Sequence, residues 1–169
     1  MKRIIRKGTF ETNSSSTHAI AICKDRDNIV VPSELYFGFE YHGWENETLD
    51  TPEEKANYLH TAIAELHSKK EYQEIINDIF SKLLAYDCVA TFEESEWDDD
   101  DYWSYGQGSV DHVWELREFL EKILNNDNLL YRYLFSNKAF VIKGNDNDYR
   151  SVWDEANKYE TDYLFWKGN

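Results

Sequence analysis

The chain has 169 residues, of which 41% are hydrophobic and 16% aromatic, with only seven glycines and two prolines. This composition predicts a single folded domain over residues 1–169 and excludes a disordered or low-complexity chain. The net charge of −15, from 33 acidic against 18 basic residues, argues against free nucleic-acid binding and favours either solubility or a basic protein partner. The sequence has no apolar run long enough for a membrane span, and its basic N-terminus lacks the apolar core of a signal peptide. We therefore expect a cytoplasmic protein.

The first third of the chain reads mainly as strands. Residues 2–6 and 18–23 have strand-like patterns, whereas the polar run between them favours no regular element because its side chains compete for backbone hydrogen bonds. Residues 29–31 and 35–39 combine β-branched and aromatic side chains, which is typical of further strands. The short connections favour antiparallel pairing.

Helical signals dominate the middle of the chain. A cap residue, Pro52 and two glutamates predict a helix start at residues 50–54, and the apolar spacing continues to about His67. A second helix follows through residues 72–84, and the short link between the two predicts an antiparallel hairpin.

The later elements complete an α+β fold. In chain order they are a strand at 88–92, a long acidic loop, a third helix at 113–124 capped by Ser109 or Asp111, a segment at 129–135 that fits either helix or strand, a strand at 138–143, a short helix at 149–158 and a terminal strand or apolar plug at 163–166. We predict a mostly antiparallel sheet, with the helical hairpin and the third long helix packed on one face.

The densest group of polar side chains runs from residue 6 to residue 18. Gly8 permits close backbone approach, successive hydroxyl and N–H groups can converge on one anion, and arginine can hold a phosphate bidentately. The candidate phosphate-binding residues are Arg3, Arg6, Lys7, Asn13, Ser14, Ser15 and Ser16. Glu11 and His18 are the candidates for proton transfer. The alternative is a loop whose side chains satisfy one another, with His18 a well-bonded structural residue.

A second cluster, Asp111 and His112, follows two glycines at a predicted helix start. Glycines before a helix let backbone N–H groups converge on an anion, and the Asp–His pair could move a proton. If the fold joins the two clusters, one histidine could act as base and the other as acid in metal-independent phosphodiester cleavage. No cofactor is predicted, although the same side chains could instead bind a divalent metal. Asp111 as a helix cap with an exposed His112 is the structural alternative.

The remaining histidines carry no predicted site. His60 and His67 lie seven residues apart on one helix without a third ligand, and His42 lies in a polar turn. We expect surface or boundary positions for the first two and a solvated His42.

The acidic loop is the candidate partner-binding segment. Residues 93–101 carry seven carboxylates in nine positions. A face of this kind could imitate a phosphate backbone or dock on a basic partner. The candidate residues are Asp98, Asp99, Asp100 and Asp101, with the interleaved aromatic residues Trp97 and Trp103.

The run from Arg6 to His18, R-K-G-T-F-E-T-N-S-S-S-T-H, resembles the N-terminal signature of a family of small proteins from phages and mobile elements of Firmicutes. That signature reads R-x-G-x-F-E-T-N-S-S-S-x-H, and the Asp111–His112 pair is similar to a second motif of the family. The family is in turn similar to Cas9-targeting anti-CRISPR proteins associated with truncation of the guide RNA. The resemblance implies an anti-defence role and a CRISPR effector as partner, with RNA within that complex.

Two functions therefore remain open. The first is a phage-type anti-CRISPR protein whose N-terminal phosphate-handling site cleaves or binds RNA, which would make it a ribonuclease-like phosphodiesterase. The second is a non-catalytic acidic inhibitor that mimics nucleic acid and blocks a basic groove of a host protein.

Overall fold

The computed structural model describes residues 16–23, 29–98, 103–104, 106–145, 149–157 and 161–167. Its strands are β1 (Ser16–Cys23), β2 (Glu34–Phe37), β3 (Tyr41–His42), β4 (Glu47–Leu49), β5 (Val89–Phe92), β6 (Ser109–Val110), β7 (Ala139–Asn145) and β8 (Thr161–Lys167). Its helices are α1 (Pro52–Leu66), α2 (Lys69–Leu84), α3 (Arg117–Leu124), α4 (Asp127–Phe135) and α5 (Tyr149–Ala156), with a 3₁₀ turn at Val113–Leu116. None of the helices in these ranges is long and apolar enough to cross a membrane.

The main sheet has the strand order β4-β7-β1-β8 and is antiparallel throughout. Because β1 lies between β7 and β8, both of its edges are hydrogen-bonded, and because side chains pack on each of its faces, residues 19–22 are fully buried. Ile20 and Ile22 join the large core that includes residues of α1, α3 and α4, whereas Ala19 and Ala21 pack with Val152 of α5. The predicted α+β class with a mainly antiparallel sheet is confirmed. The small side chains of β1 mark the face that α5 covers.

Two strand pairs outside this sheet are parallel. β2 pairs with β5, and β3 pairs with β6. The expectation of antiparallel pairing for these strands was wrong because β2 and β5 are joined through α1 and α2, and this long crossover permits parallel pairing. Residues 29–31, which were expected to form a strand, form none, and β2 begins only at Glu34.

Local signals position the helices as expected. Thr51 caps α1 and Ser68 caps α2, each through a reciprocal capping box with the glutamate three residues later. The third helix differs from its prediction, because residues 113–116 form a 3₁₀ turn and only Arg117–Leu124 is α-helical. The segment that fitted either helix or strand is α4, whose first turn is capped by Asn126.

Gly108 allows the acidic loop to return against β3. A Cβ atom at this position would lie 2.6 Å from the carbonyl oxygen of Glu40 and 2.9 Å from its nitrogen. We expect Gly108→Ala to lower the free energy of unfolding by about 2 kcal/mol, because backbone must move to relieve the overlap. Gly106→Ala is the matched control, since the nearest atom to its added Cβ is the Oγ of Ser104 at 3.5 Å. Urea unfolding of the two variants measures the difference, and equal stabilities would contradict this account of the turn.

Candidate functional site

Three segments of the chain meet at the start of β1. The backbone N–H of Ser16 donates a hydrogen bond to Oδ2 of Asp111 (3.1 Å), and the N–H of Asp111 donates to the carbonyl oxygen of His42 (2.9 Å). Ser16, at the end of the N-terminal motif, therefore lies against the Asp111–His112 cluster. The other motif residues lie outside the described residues: Arg3, Arg6, Lys7, Glu11, Asn13, Ser14 and Ser15.

His18 is a core residue in this arrangement. Its side chain is fully buried, with Nε2 2.9 Å from the carbonyl oxygen of Gly43 and Nδ1 2.9 Å from the hydroxyl of Tyr58. Since a carbonyl only accepts, Nε2 donates to Gly43, and in the neutral ring Nδ1 accepts from the hydroxyl of Tyr58. A ring with both nitrogens bonded inside the protein is not presented to a phosphodiester. The geometry favours the structural alternative for His18 over general acid or base chemistry.

Asp111 and His112 are more accessible. Their side chains are 37% and 34% exposed, with His112 Nε2 3.6 Å from Oδ1 of Asp111 and its Nδ1 4.0 Å from Oε1 of Glu115. These separations permit electrostatic attraction but exceed hydrogen-bond distance. His112 has φ 53° and ψ 38°, a left-handed conformation that is uncommon for a residue with a side chain.

The predicted helix cap at Ser109 or Asp111 was wrong. Ser109 lies in β6, and the carboxylate of Asp111 bonds to Ser16 rather than to the following turn. His112 occupies the capping position, and its side chain makes no capping hydrogen bond. The long-range contact with β1 has replaced the local cap, because a carboxylate oxygen that satisfies a strand N–H is no longer directed at its own turn.

His42 is buried rather than solvated. It is 1% exposed, and burial lowers its pKa to about 3, helped by repulsion from Lys143. The ammonium of Lys143 lies 3.4 Å from Nδ1 of His42 and 2.7 Å from Oε2 of Glu47. Nε2 of His42 has no hydrogen-bond partner in the part of the chain that the structure describes. Along β3 the structure alternates exposed Tyr41 with buried His42, but the sequence carries no signal that distinguishes the two, and none that marks Lys143.

His60 is also fully buried, contrary to the surface or boundary position expected from sequence. Its ring stacks on Phe39 with centroids 4.0 Å apart, and its nitrogens lie 3.1 Å from the carbonyl oxygen of Gly38 and 2.7 Å from the hydroxyl of Tyr72. Burial lowers the pKa of His60 to about 4. Within the described ranges no group of three or more His, Cys, Asp or Glu side chains is arranged to hold a metal ion.

The two tryptophans of the acidic loop anchor its base. Trp97 and Trp103 face each other across an isolated antiparallel bridge. Trp103 is buried against Phe39 with ring centroids 4.3 Å apart, and Trp97 is partly buried against Tyr72 at 5.3 Å. Trp103 therefore belongs to the core rather than to the exposed surface expected for partner binding. Asp98 is exposed, and Asp99, Asp100 and Asp101 lie outside the described residues.

The larger acidic surface is a product of the fold. Residues 27–54 and 83–116 contain no lysine or arginine. The parallel pairs β2–β5 and β3–β6 bring these two segments side by side, and the N–H of Phe39 donates to Oε2 of Glu93 (2.8 Å). We call the surface formed by the described residues within 29–54 and 83–116 the acidic face. Its exposed carboxylates are Glu34, Glu40, Glu45, Glu47, Asp50, Glu53, Asp87, Glu94, Glu96 and Asp98.

Selective burial of cations adds to the excess of negative charge at the surface. In the described part of the chain, no aspartate or glutamate is buried, whereas Lys55, Arg132 and Lys143 are. Lys55 donates to the carbonyl oxygens of Ser136 and Ala139, each at 2.9 Å, so its ammonium group is bonded inside the protein and does not offset the negative charge at the surface. The acidic face also carries exposed aromatic side chains, with Tyr36 44%, Tyr41 62%, Trp44 47% and Trp114 58% exposed.

Comparison of the chain with family models, with curated proteins and with solved structures finds no match in any of the three.

Proposed function

We propose that the protein is a non-catalytic inhibitor that uses its acidic face to occupy a basic, nucleic-acid-binding groove of a partner protein. The observation that carries this proposal is the pairing of the two segments without lysine or arginine, through β2–β5 and β3–β6. Sequence alone placed the acidic character in one loop, whereas the folded chain presents carboxylates from both segments on neighbouring strands and turns.

The composition of the face suits a protein groove that holds a polyanion. Complementary charge accelerates encounter with a basic partner and rejects acidic ones. Exposed aromatic side chains such as Tyr41, Trp44 and Trp114 supply the contact area that commonly dominates interface energetics. The sequence resemblance implies that such a partner is a CRISPR effector, which would make the inhibition an anti-defence activity.

A second candidate function is phosphodiester binding where the two motifs meet. The contact between Ser16 and Asp111 supports it, because it brings the end of the N-terminal motif to the accessible His112. The burial of His18 removes one of the two histidines that a ribonuclease-like mechanism would use. Binding without cleavage is therefore the form of this function that the geometry favours.

Neutralising the acidic face tests the first proposal. In the triple variant Glu45→Gln, Glu94→Gln, Asp98→Asn, all three changed side chains are exposed. We expect about tenfold weaker binding to a guide-free Cas9 nuclease at low salt, since each interfacial charge contributes up to about 1 kcal/mol. The matched control is Glu118→Gln, Glu121→Gln, Asp154→Asn, which removes the same charge outside the acidic face. Biolayer interferometry over a salt series measures both, and equal weakening would contradict a role for the acidic face.

RNA integrity separates inhibition from cleavage. Guide RNA is incubated with the wild-type protein, with and without the nuclease, and resolved on a denaturing gel. We expect full-length RNA in every lane together with reduced loading of the guide onto the nuclease. Shortened RNA that depends on the wild-type protein would overturn the non-catalytic proposal.

A further inference from the structure

A groove of about 570 Å³ separates α2 from α3. Its floor is apolar and is formed by Leu66, Ile75, Leu120 and Leu124. Leu120 is buried and the other three are partly buried against the large core. Such a strip of aliphatic side chains between two helices offers contact area to an apolar partner surface.

The rim of the groove is charged in a defined pattern. Glu71, Glu74 and Asp78 form the α2 rim at positions i, i+3 and i+7, and all three are exposed. At the helical rise per residue this row extends over about 10 Å. The α3 rim carries Arg117 and Glu121, one turn apart. The α2 rim is therefore negative at Glu71 and Glu74, although the exposed Lys70 lies 3.9 Å from Glu74, whereas Asp78 is paired with Lys82. The α3 rim holds both signs.

Lys82 links the C-terminal ends of the two helices. Its Nζ donates to the carbonyl oxygen of Leu124 (2.7 Å) and lies 2.8 Å from Oδ2 of Asp78. The eight residues of α3 correspond to about 12 Å, which is a little more than two turns of a bound helix. The groove thus has the length over which a helix presents apolar residues at i, i+3, i+4 and i+7.

We propose that this groove binds an amphipathic helix of a partner protein, with the apolar face of that helix on the floor and its lysine or arginine residues along the α2 rim. The charge of Glu71 and Glu74 selects a basic flank on that side, and Arg117 accommodates an acidic residue on the other. None of the residues that line the groove belongs to the acidic face. The groove is therefore a second docking site, independent of the proposed inhibitory surface.

A designed peptide tests the site directly. The probe is a fluorescein-labelled peptide of about 14 residues, built from leucine, lysine and alanine, with leucines on one helical face and lysines on one flank. The control peptide has the same composition with the leucines scattered around the helix. Fluorescence anisotropy with the full chain at low salt should show at least about tenfold tighter binding of the amphipathic peptide. Equal binding of both peptides would mean that charge alone attracts them, and would overturn the proposal.

Variants of the chain locate the binding. Glu74→Lys should weaken peptide binding about fivefold to tenfold, because it places a cation in the middle of the α2 rim. Asp154→Lys makes the same charge change on α5 and should leave binding unchanged. Ile75→Ala should weaken binding by shortening the apolar floor, and the triple variant of the acidic face should retain it. Wild-type affinity in a folded Glu74→Lys variant would exclude the groove, as would loss of binding in the acidic-face variant alone.

Discussion

Replacing His18 by alanine will lower the free energy of unfolding by about 3 kcal/mol, because the change leaves a buried cavity and removes the partner of Tyr58. The carbonyl oxygen of Gly43 loses its donor as well. A structural histidine predicts this loss of stability, whereas an accessible catalytic histidine predicts a variant as stable as the wild type. Chemical denaturation followed by circular dichroism distinguishes the two.

His112→Asn is the control for that experiment. His112 is one-third exposed and has a left-handed backbone, which asparagine adopts more readily than most residues. We therefore expect its stability to lie within about 0.5 kcal/mol of the wild type. Tyr58→Phe, made alone and in the His18→Ala background, completes a double-mutant cycle and should show coupling between the two side chains. Unchanged stability of His18→Ala would contradict the buried, doubly bonded geometry.

The expected instability of His18→Ala affects how functional data are interpreted. A variant that has lost about 3 kcal/mol retains only a fraction of the stability of a typical domain. Loss of inhibition in that variant would therefore be explained by unfolding as well as by loss of a catalytic group. Stability has to be measured alongside any activity assay at this motif position.

Acidification will destabilise the protein through two buried histidines. The pKa of His42 is lowered to about 3 and that of His60 to about 4, in both cases first by burial, from an ordinary value of 6.5. As the pH falls below 6.5, the unfolded chain takes up protons that the folded rings refuse. The free energy of unfolding that the neutral rings contribute is therefore fully present above pH 6.5 and is lost progressively as the pH falls to 3–4. By pH 5 the expected loss is about 2 kcal/mol for each histidine.

The pH slope, rather than stability at one pH, identifies the groups responsible. Urea unfolding from pH 7 to pH 5 measures that slope in the wild type. His42→Gln and His60→Gln replace each ring by a polar side chain that does not titrate in this range. We expect each variant to remove about one proton from the linkage, and the double variant to remove about two. Slopes equal to that of the wild type would show that neither histidine is buried as a neutral ring.

Local sequence signals predicted most of the secondary structure. The threonine that caps α1, the proline that begins it and the strand pattern of residues 18–23 act through neighbours in the chain, so these elements can be predicted without knowing the fold. The pairing of the strands was harder to predict from the sequence. β2 and β5 are separated by two helices, and nothing within either strand specifies which partner it meets or in which direction.

The candidate site, too, was only partly predictable from the sequence. Sequence by itself identified the polar motif that ends in Ser16 and His18, and named Asp111–His112 as its companion. Only the tertiary structure decided that His18 is enclosed by Tyr58 and Gly43, since burial depends on segments that are distant in the chain. The acidic face has the same origin. Composition supplied the charge of −15, but two strand pairings assembled the segments without lysine or arginine into one surface. The physical reason is that charge and hydrogen-bonding capacity belong to residues, whereas exposure and proximity belong to the packed chain.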